Sequence, residues 1–253
     1  MCADAAGRAG RSASNRLFLR KWKEFSLEWD AMNWPLECAA VIPCLNESAA
    51  IQAVVNGVRR HLTTVIVVDD GSTDDTGRLA AEAGAEVLRN ERPSGKGAAL
   101  ASGWRRARER GFAWVLTLDG DGQHAPEDIP AFFDCVERTS APLISGNRMS
   151  NPAGMPPVRR LVNWWMSRQL SRLAGQSLPD TQCGYRLMRL GEWSRLASTS
   201  SHFEIESEIL LNFARAGFRI EFVPIQVIYR AERSKIHPLR DTLRWFRWLK
   251  TVR

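Results

Sequence analysis

The sequence predicts an α/β protein with a mostly parallel central sheet and helices on both faces, and three observations carry that prediction. Short apolar runs alternate with helical stretches from Cys38 to Arg138, the pattern of strands joined by helical crossovers. Several of these runs end in acidic or polar clusters, where sheets of this kind place their ligands. With 253 residues and 44% hydrophobic content, the chain is long enough for one large core and short for two.

Taken in order, residues 1–15 are small and polar and read as a tail. Phe18, Trp22, Phe25, Trp29 and Met32 then recur at spacings of three and four, one apolar face of a helix. That face has two destinations open to it, the protein's own surface or a membrane. The pattern changes at Glu37: "CAAVI", "TVIVV", "AEVL", "FAWVLTL" and "PLISG" read as strands. Between them "ESAAIQAVVNGVRRH", "TDDTGRLAAEAG", "GKGAALASGWRRARERG" and "PEDIPAFFDCVER" read as helices, by their apolar spacing and their acidic, Pro or Gly ends.

After Pro152 the alternation loosens into a basic, Trp-containing helix, "GMPPVRRLVNWWMSRQLSRLAGQ", then the unassigned "LPDTQCGYRLMRL". A helical "SHFEIESEILLNFARAG" and a strand-like "FRIEFVPIQVIY" follow. The expected organisation is a tail and amphipathic helix over 1–36, a main domain over 37–236, and a basic C-terminal helix over 237–253.

The net charge is +7, and from Lys235 to Arg253 six basic residues face one acid, Asp241, so this stretch alone carries +5. An anionic surface near the C-terminus is implied. There Leu239, Leu243, Phe246 and Leu249 share one helical face, flanked by Trp245 and Trp248, with Arg240, Arg244 and Arg247 on another. That pattern suits an interfacial anchor on anionic lipid, worth about 1 kcal/mol per basic residue near the surface, or a helix packed on the sheet with its arginines outward. A nucleic-acid partner is excluded: the ten tryptophans are scattered, and no stacking platform or recognition motif is legible.

Five scattered cysteines without metal spacing imply reduced thiols in the cytosol. The first residues lack the apolar segment of a secretory leader, and nowhere do 18 apolar residues run together. No transmembrane helix is expected, and membrane contact is expected to be peripheral, at the inner face.

Two nucleotide motifs are absent. A P-loop would need glycine at Asn90 and Ser or Thr at Gly97, and no G-x-G-x-x-G follows the first strand. "DGDGQH" opens like a calcium loop but has His124 at the sixth position and Pro130 at the twelfth, which excludes an EF-hand. What stands is Asp119-x-Asp121 at the end of a buried strand, with Gln123 two residues on. These hard oxygen donors suit Mg²⁺ or Mn²⁺, whose sites use one or two carboxylates together with substrate phosphates.

The chain resembles the family 2 glycosyltransferases, which have a GT-A, Rossmann-like nucleotide-binding fold, and most of all their polyprenyl-phosphate branch, the dolichyl-phosphate mannose and glucose synthases. The resemblance rests on "VIPCLNE", "VIVVDDGSTDDT", "GKGAAL", "LTLDGDGQHAPEDIP", "SGNRM", "DTQCGYRLMR", "FEIESEIL" and "SKI", in the family's order. It implies an inverting, metal-dependent transfer of a hexose from a UDP- or GDP-sugar to a membrane polyprenyl phosphate. By the same resemblance Pro43, Asn46, Glu47 and Asp69 hold the base and ribose, with Asp70 as companion, and Asp119, Asp121 and Gln123 hold the metal.

The resemblance also sets Arg148, Arg159, Arg160 and Arg186 near the acceptor phosphate, and Arg233 and Lys235 over the diphosphates. Lys96 either faces the donor or is a solvated lysine opening a helix, and Arg159 and Arg160 are alternatively an exposed helix face. A phosphate acceptor is mostly dianionic at neutral pH and needs cations instead of a base. A hydroxyl acceptor, on another lipid or an envelope glycan, would need a base. Asp180, Glu204, Glu206 and Glu208 are the base candidates, Asp180 being alternatively the residue that orients Arg186.

Overall fold

The computed structural model describes residues 32–152, 154–196, 200, 202–228 and 238–252, with backbone alone for 238–243. The expected helix from Phe18, together with Arg233 and Lys235, lies outside the described residues. Trp34 to Arg253 form one unit.

A single turn, α1 (Trp34–Glu37), runs directly into β1 (Cys38–Cys44). The alternation then follows as α2 (Ile51–Val58), β2 (Val65–Asp69), α3 (Thr76–Glu82), β3 (Glu86–Arg89), α4 (Lys96–Glu109) and β4 (Trp114–Thr117). Next come α5 (Ile129–Thr139), β5 (Leu143–Asn147), α6 (Pro157–Ala174), β6 (Arg186–Arg189) and α7 (Leu190–Trp193). The last elements are α8 (Ile205–Arg215), β7 (Ile220–Pro224) and α9 (Pro238–Thr251).

The seven strands form one sheet in the order β3-β2-β1-β4-β6-β5-β7. β1 and β2 are buried along nearly their whole length because helices cover both faces, which is why they read as unbroken apolar runs. The pleat divides their side chains. Ala39, Val41, Ile66, Val68 and Val115 pack under α4, α6 and α8 with Trp104, Leu170 and Ile209. On the opposite face Trp34 stacks on Phe133 of α5 at 4.4 Å and meets Trp114 edge-on at 5.7 Å.

β6 is the exception in direction, pairing antiparallel with both β4 and β5. Its four residues, "RLMR", have no period of their own. Only the long-range pairs Leu116 with Leu187 and Leu143 with Met188 make them a strand, so the local pattern left this segment unassigned. β5 and β7 are parallel to each other, so every strand except β6 points the same way. The ends of β1, β2, β4 and β5 and the start of β6 therefore share one edge of the sheet, where the polar segments gather.

Candidate active site

The loops after β1 and β2 are stitched together. Asn46 takes a left-handed φ of 53°, which asparagine tolerates better than most residues. Its Oδ1 accepts from the Thr73 amide at 2.8 Å, and its own amide donates to Ser72 Oγ at 2.9 Å. The Glu47 amide donates to Thr76 Oγ1, and the Ser48 amide to Asp74. Burial opposes ionisation of Asp74, but bonds from Thr76 and Ser48 outweigh it and bring the carboxyl down to about 2.

Asp69 and Asp70, expected to face the donor, are both turned inward. Asp69 is fully buried: its Oδ1 accepts from the Ser72 amide at 2.8 Å, and its Oδ2 has no hydrogen bond, with Arg89 Nε 3.7 Å away. Asp70 accepts from Asn90, from the amide and hydroxyl of Ser94, and from the Gly95 amide. Gly95 has a φ of 100°, a backbone open to glycine and strained for other residues. Asp70 thus holds the turn that starts α4 and aims the next residue, Lys96.

Lys96 is not a solvated lysine. Its Nζ lies 2.6 Å from Asp119 Oδ1 and 2.9 Å from Glu206 Oε1, and it sits over the Phe203 ring. Burial alone would lower its pKa, but the two carboxylates outweigh it and hold the ammonium charged. Glu206 also pairs with Arg186 at 3.2 Å, so Asp119, Lys96, Glu206 and Arg186 form a chain of alternating charge that runs from the half-buried Asp119 and Lys96 to the buried Glu206 and Arg186. Gly184 leaves the space: a Cβ there would stand 2.9 Å from Lys96 Nζ and 3.1 Å from both Asp119 oxygens.

Asp119 and Asp121 lie on the turn after β4. Trp104 of α4 donates to Thr117 at 3.0 Å and ties that strand end under α4. Burial raises both carboxyls, but Lys96 pulls Asp119 back below its ordinary range, whereas the Asp119 charge pushes Asp121 further up. Asp121 accepts from the Gln123 amide at 2.9 Å. The negative charge between the two is only partly compensated, which is the condition a divalent cation relieves. Among the described residues no third His, Cys, Asp or Glu joins them. Two hard carboxylates without a closed cage suit Mg²⁺ or Mn²⁺ completed by substrate phosphate, so the donor set fits such an ion.

In the sequence His124 carries no signal beyond excluding a calcium loop. Its Nδ1 accepts from the Asp119 amide at 3.2 Å, its ring stacks on Tyr185, and burial lowers its pKa. Tyr185 donates in turn to the Ala125 carbonyl, so this pair holds both ends of the acidic turn. Glu206 is legible in the sequence only as a base candidate, and nothing local in "FEIESEIL" shows its link to Lys96.

At the end of β5 Arg148 and Asp180, both expected near the acceptor, form a buried two-pronged pair. Arg148 Nε and one terminal nitrogen each donate to Asp180 at 2.8 Å, and the Arg148 and Gln182 amides add two more bonds. Burial raises the Asp180 carboxyl, but the Arg148 charge and these bonds bring it below its ordinary value. This corrects one expectation: Asp180 orients Arg148, whereas Arg186 is held by Glu206 and by the Thr181 carbonyl. Arg186 is 4% exposed and lies beneath the site instead of at its surface. The remaining base candidates are also engaged, Glu204 with Arg244 at 3.8 Å and Glu208 with the Ser200 amide.

Arg159 and Arg160 open α6, half-buried and exposed respectively, and make no ion pair among the described residues. Pro43 lies at the end of β1, beyond the last β1–β4 pair of Val41 with Thr117, so its missing N–H costs no ladder bond there. Of the two destinations open to α9, contact with the domain is seen: Trp245 and Leu249 are buried against Met166 of α6, and Trp245 donates to Ser207 at 2.9 Å.

A mostly parallel sheet covered by helices, with stitched loops and an Asp-x-Asp turn at its strand ends, is the architecture of a GT-A-like α/β fold. The description "Glycosyl transferase family 2" matches residues 39–191, and the chain belongs to that family and is a glycosyltransferase. Over 212 residues it is 30% identical to a UDP-N-acetylglucosamine–dolichyl-phosphate N-acetylglucosaminyltransferase of Methanococcus voltae, covering 75% of this chain and 84% of that one. It is 30% identical to an undecaprenyl-phosphate mannosyltransferase of Micrococcus luteus, covering 75% and 83%. The fold superposes on a glucosyl-3-phosphoglycerate synthase of Mycobacterium tuberculosis in complex with UDP, with a TM-score of 0.65, 25% identity and 85% and 78% coverage.

Proposed function

We propose that the chain transfers a hexose from a UDP- or GDP-sugar to a membrane polyprenyl phosphate, with inversion and with Mg²⁺ or Mn²⁺, at the cytoplasmic face of a membrane. The observation that carries this reading is the Arg148–Asp180 pair. The best candidate base has both carboxylate oxygens bonded and its pKa depressed, which supports an acceptor that arrives already anionic. The relatives named for dolichyl and undecaprenyl phosphates point the same way. Transfer to a hydroxyl through Asp180 as base gains no support from this geometry.

In this reading the acceptor phosphate oxygen attacks the anomeric carbon while that carbon's bond to the diphosphate breaks, and the nucleoside diphosphate leaves. Pro43, Asn46 and Glu47 border the base and ribose, and Asp69 and Asp70 act by shaping those loops. Asp119 and Asp121, with Gln123 beside them, would hold the divalent ion, which when bound offsets the charge growing on the leaving diphosphate. Lys96, kept cationic between two carboxylates, adds positive charge at the same end, where Arg233 and Lys235 are the further candidates. Arg148 is fixed by Asp180 at the junction of donor and acceptor, and Arg159 and Arg160, which make no ion pair among the described residues, present guanidinium groups suited to a phosphate.

The test is a thermal-shift panel of UDP- and GDP-sugars with and without Mn²⁺, followed by transfer of labelled sugar to undecaprenyl or dolichyl phosphate. Metal-dependent stabilisation by one nucleotide sugar and label in the lipid phase are expected. Label appearing only on hydroxyl acceptors would overturn the reading.

A further inference from the structure

We infer that Ser207 is a positioning residue for sugar transfer: it ties α9 to the Arg148–Asp180 pair through a run of hydrogen bonds, so that the docking of this last helix sets where Arg148 stands. The inference deepens the reading of Arg148 as the cation at the acceptor phosphate, and rests on it.

The run begins at the buried Trp245, which lies against Met166 and edge-on to Trp165 of α6 at 5.7 Å. An indole N–H only donates, so its 2.9 Å bond makes Ser207 Oγ the acceptor. Ser207 of α8 is fully buried, and the same Oγ accepts from Gln182 Nε2 at 2.9 Å. Both lone pairs of the hydroxyl are thus engaged, one toward α9 and one toward the loop before β6. The Gln182 amide then donates to Asp180 Oδ1 at 3.2 Å, the oxygen that also accepts from a terminal nitrogen of Arg148 at 2.8 Å.

Packing alone does not call for this arrangement. A buried hydroxyl is costly unless it is bonded, and an alanine would fill the same place on a helix whose Leu210, Leu211 and Phe213 are already fully buried. What the hydroxyl adds is direction, because a satisfied polar network specifies one arrangement of the groups that it joins.

The loop that carries Asp180 is held from two sides, by Ser167 of α6, which accepts from the Thr181 amide at 3.1 Å, and by Ser207 of α8. α9 bridges the same two helices. Its Trp245 and Leu249 pack on Met166 of α6, and its Arg244 lies 3.8 Å from Glu204, just before α8. The spacing of α6 and α8 that the loop spans therefore depends on α9, and Ser207 is the point where that dependence reaches Asp180.

The test uses the full chain with Trp245→Phe, which keeps a ring on Met166 but removes the N–H, and with Ser207→Ala, which removes the shared acceptor. In transfer to a short, water-soluble prenyl phosphate, each is expected to raise the acceptor KM about fivefold, the order that one net hydrogen bond is worth. Metal-dependent stabilisation by the nucleotide sugar should stay unchanged. The double variant should show no larger rise than Ser207→Ala, because the Trp245 bond is already gone. An unchanged acceptor KM in both variants overturns the inference, whatever happens to the melting temperature. So do effects that multiply in the double variant, or donor and acceptor KM rising together. Exchange of the Trp245 indole N–H, assigned by its loss in Trp245→Phe, reads the run without turnover, and Gln182→Met should speed it about fivefold. If the wild type transfers sugar to no prenyl phosphate but that exchange accelerates, the hydrogen-bonded run stands and the acceptor reading falls; transfer with unchanged exchange gives the converse.

Discussion

Arg148 and Asp180, 32 residues apart, meet as a buried ion pair in which the carboxylate takes both guanidinium bonds and the Arg148 amide. Removing one partner leaves an uncompensated buried charge, which typically costs about 3–5 kcal/mol. Asp180→Leu is therefore expected to lower stability by that order in denaturant unfolding, and the double variant Arg148→Met/Asp180→Leu to recover part of it. Additive losses would show that the two residues are not coupled.

The same pair sets a pH dependence. Asp180 has a folded pKa below the ordinary value of 3.8, so the unfolded chain takes up the proton first on acidification. Its contribution is complete above that ordinary value and is lost as the pH falls through the lower, folded one. The stability gap between the wild type and the double variant, followed by urea unfolding from pH 7 to pH 3, should narrow only at the acid end. A gap that instead closes near neutrality would contradict this assignment.

Lys96 competes with any divalent cation for Asp119. Replacing it with methionine removes a repulsion that Coulomb's law puts at several kcal/mol for a divalent ion at an effective dielectric near 20, so binding of Mn²⁺ in the absence of donor should tighten by at least about tenfold, the equivalent of about 1.4 kcal/mol. Sugar transfer should nevertheless fall, because positive charge beside the diphosphate is lost. Titration of free Mn²⁺ by electron paramagnetic resonance, alongside turnover, reads both effects.

Gly184→Ala would drive a methyl against the Lys96–Asp119 contact. Overpacking of this kind costs about 1–3 kcal/mol. The expected outcome is a folded protein with a lowered melting temperature and a larger loss in kcat than in stability. Unchanged turnover would mean that the contact is not needed for transfer.

Asp121→Asn removes one of two crowded charges, and among the described residues Asp121 carries a single side-chain bond, from the Gln123 amide. Thermal unfolding without ligand should be unchanged or slightly raised, while metal-dependent stabilisation by the nucleotide sugar disappears. Retained metal dependence would move the ion elsewhere.

What the sequence determined by itself was local and periodic. The apolar runs of β1, β2, β4 and β5 announced a parallel sheet because burial on both faces leaves no room for polar alternation, and "DGDGQ" placed two carboxylates one residue apart at a buried strand end, a pattern that gained its metal reading only from the motifs around it. The tertiary structure decided what depends on pairing across distance. "RLMR" became an antiparallel strand only between β4 and β5, Asp180 chose Arg148 over Arg186, and Glu206 came to share Lys96 with Asp119 from more than eighty residues away. It also exchanged the faces of the basic helices, burying Trp245 of α9 and leaving Trp164 of α6 outward. An amphipathic pattern says that a helix has an apolar side; which side meets protein and which is left for another surface depends on the neighbours that the fold brings to it.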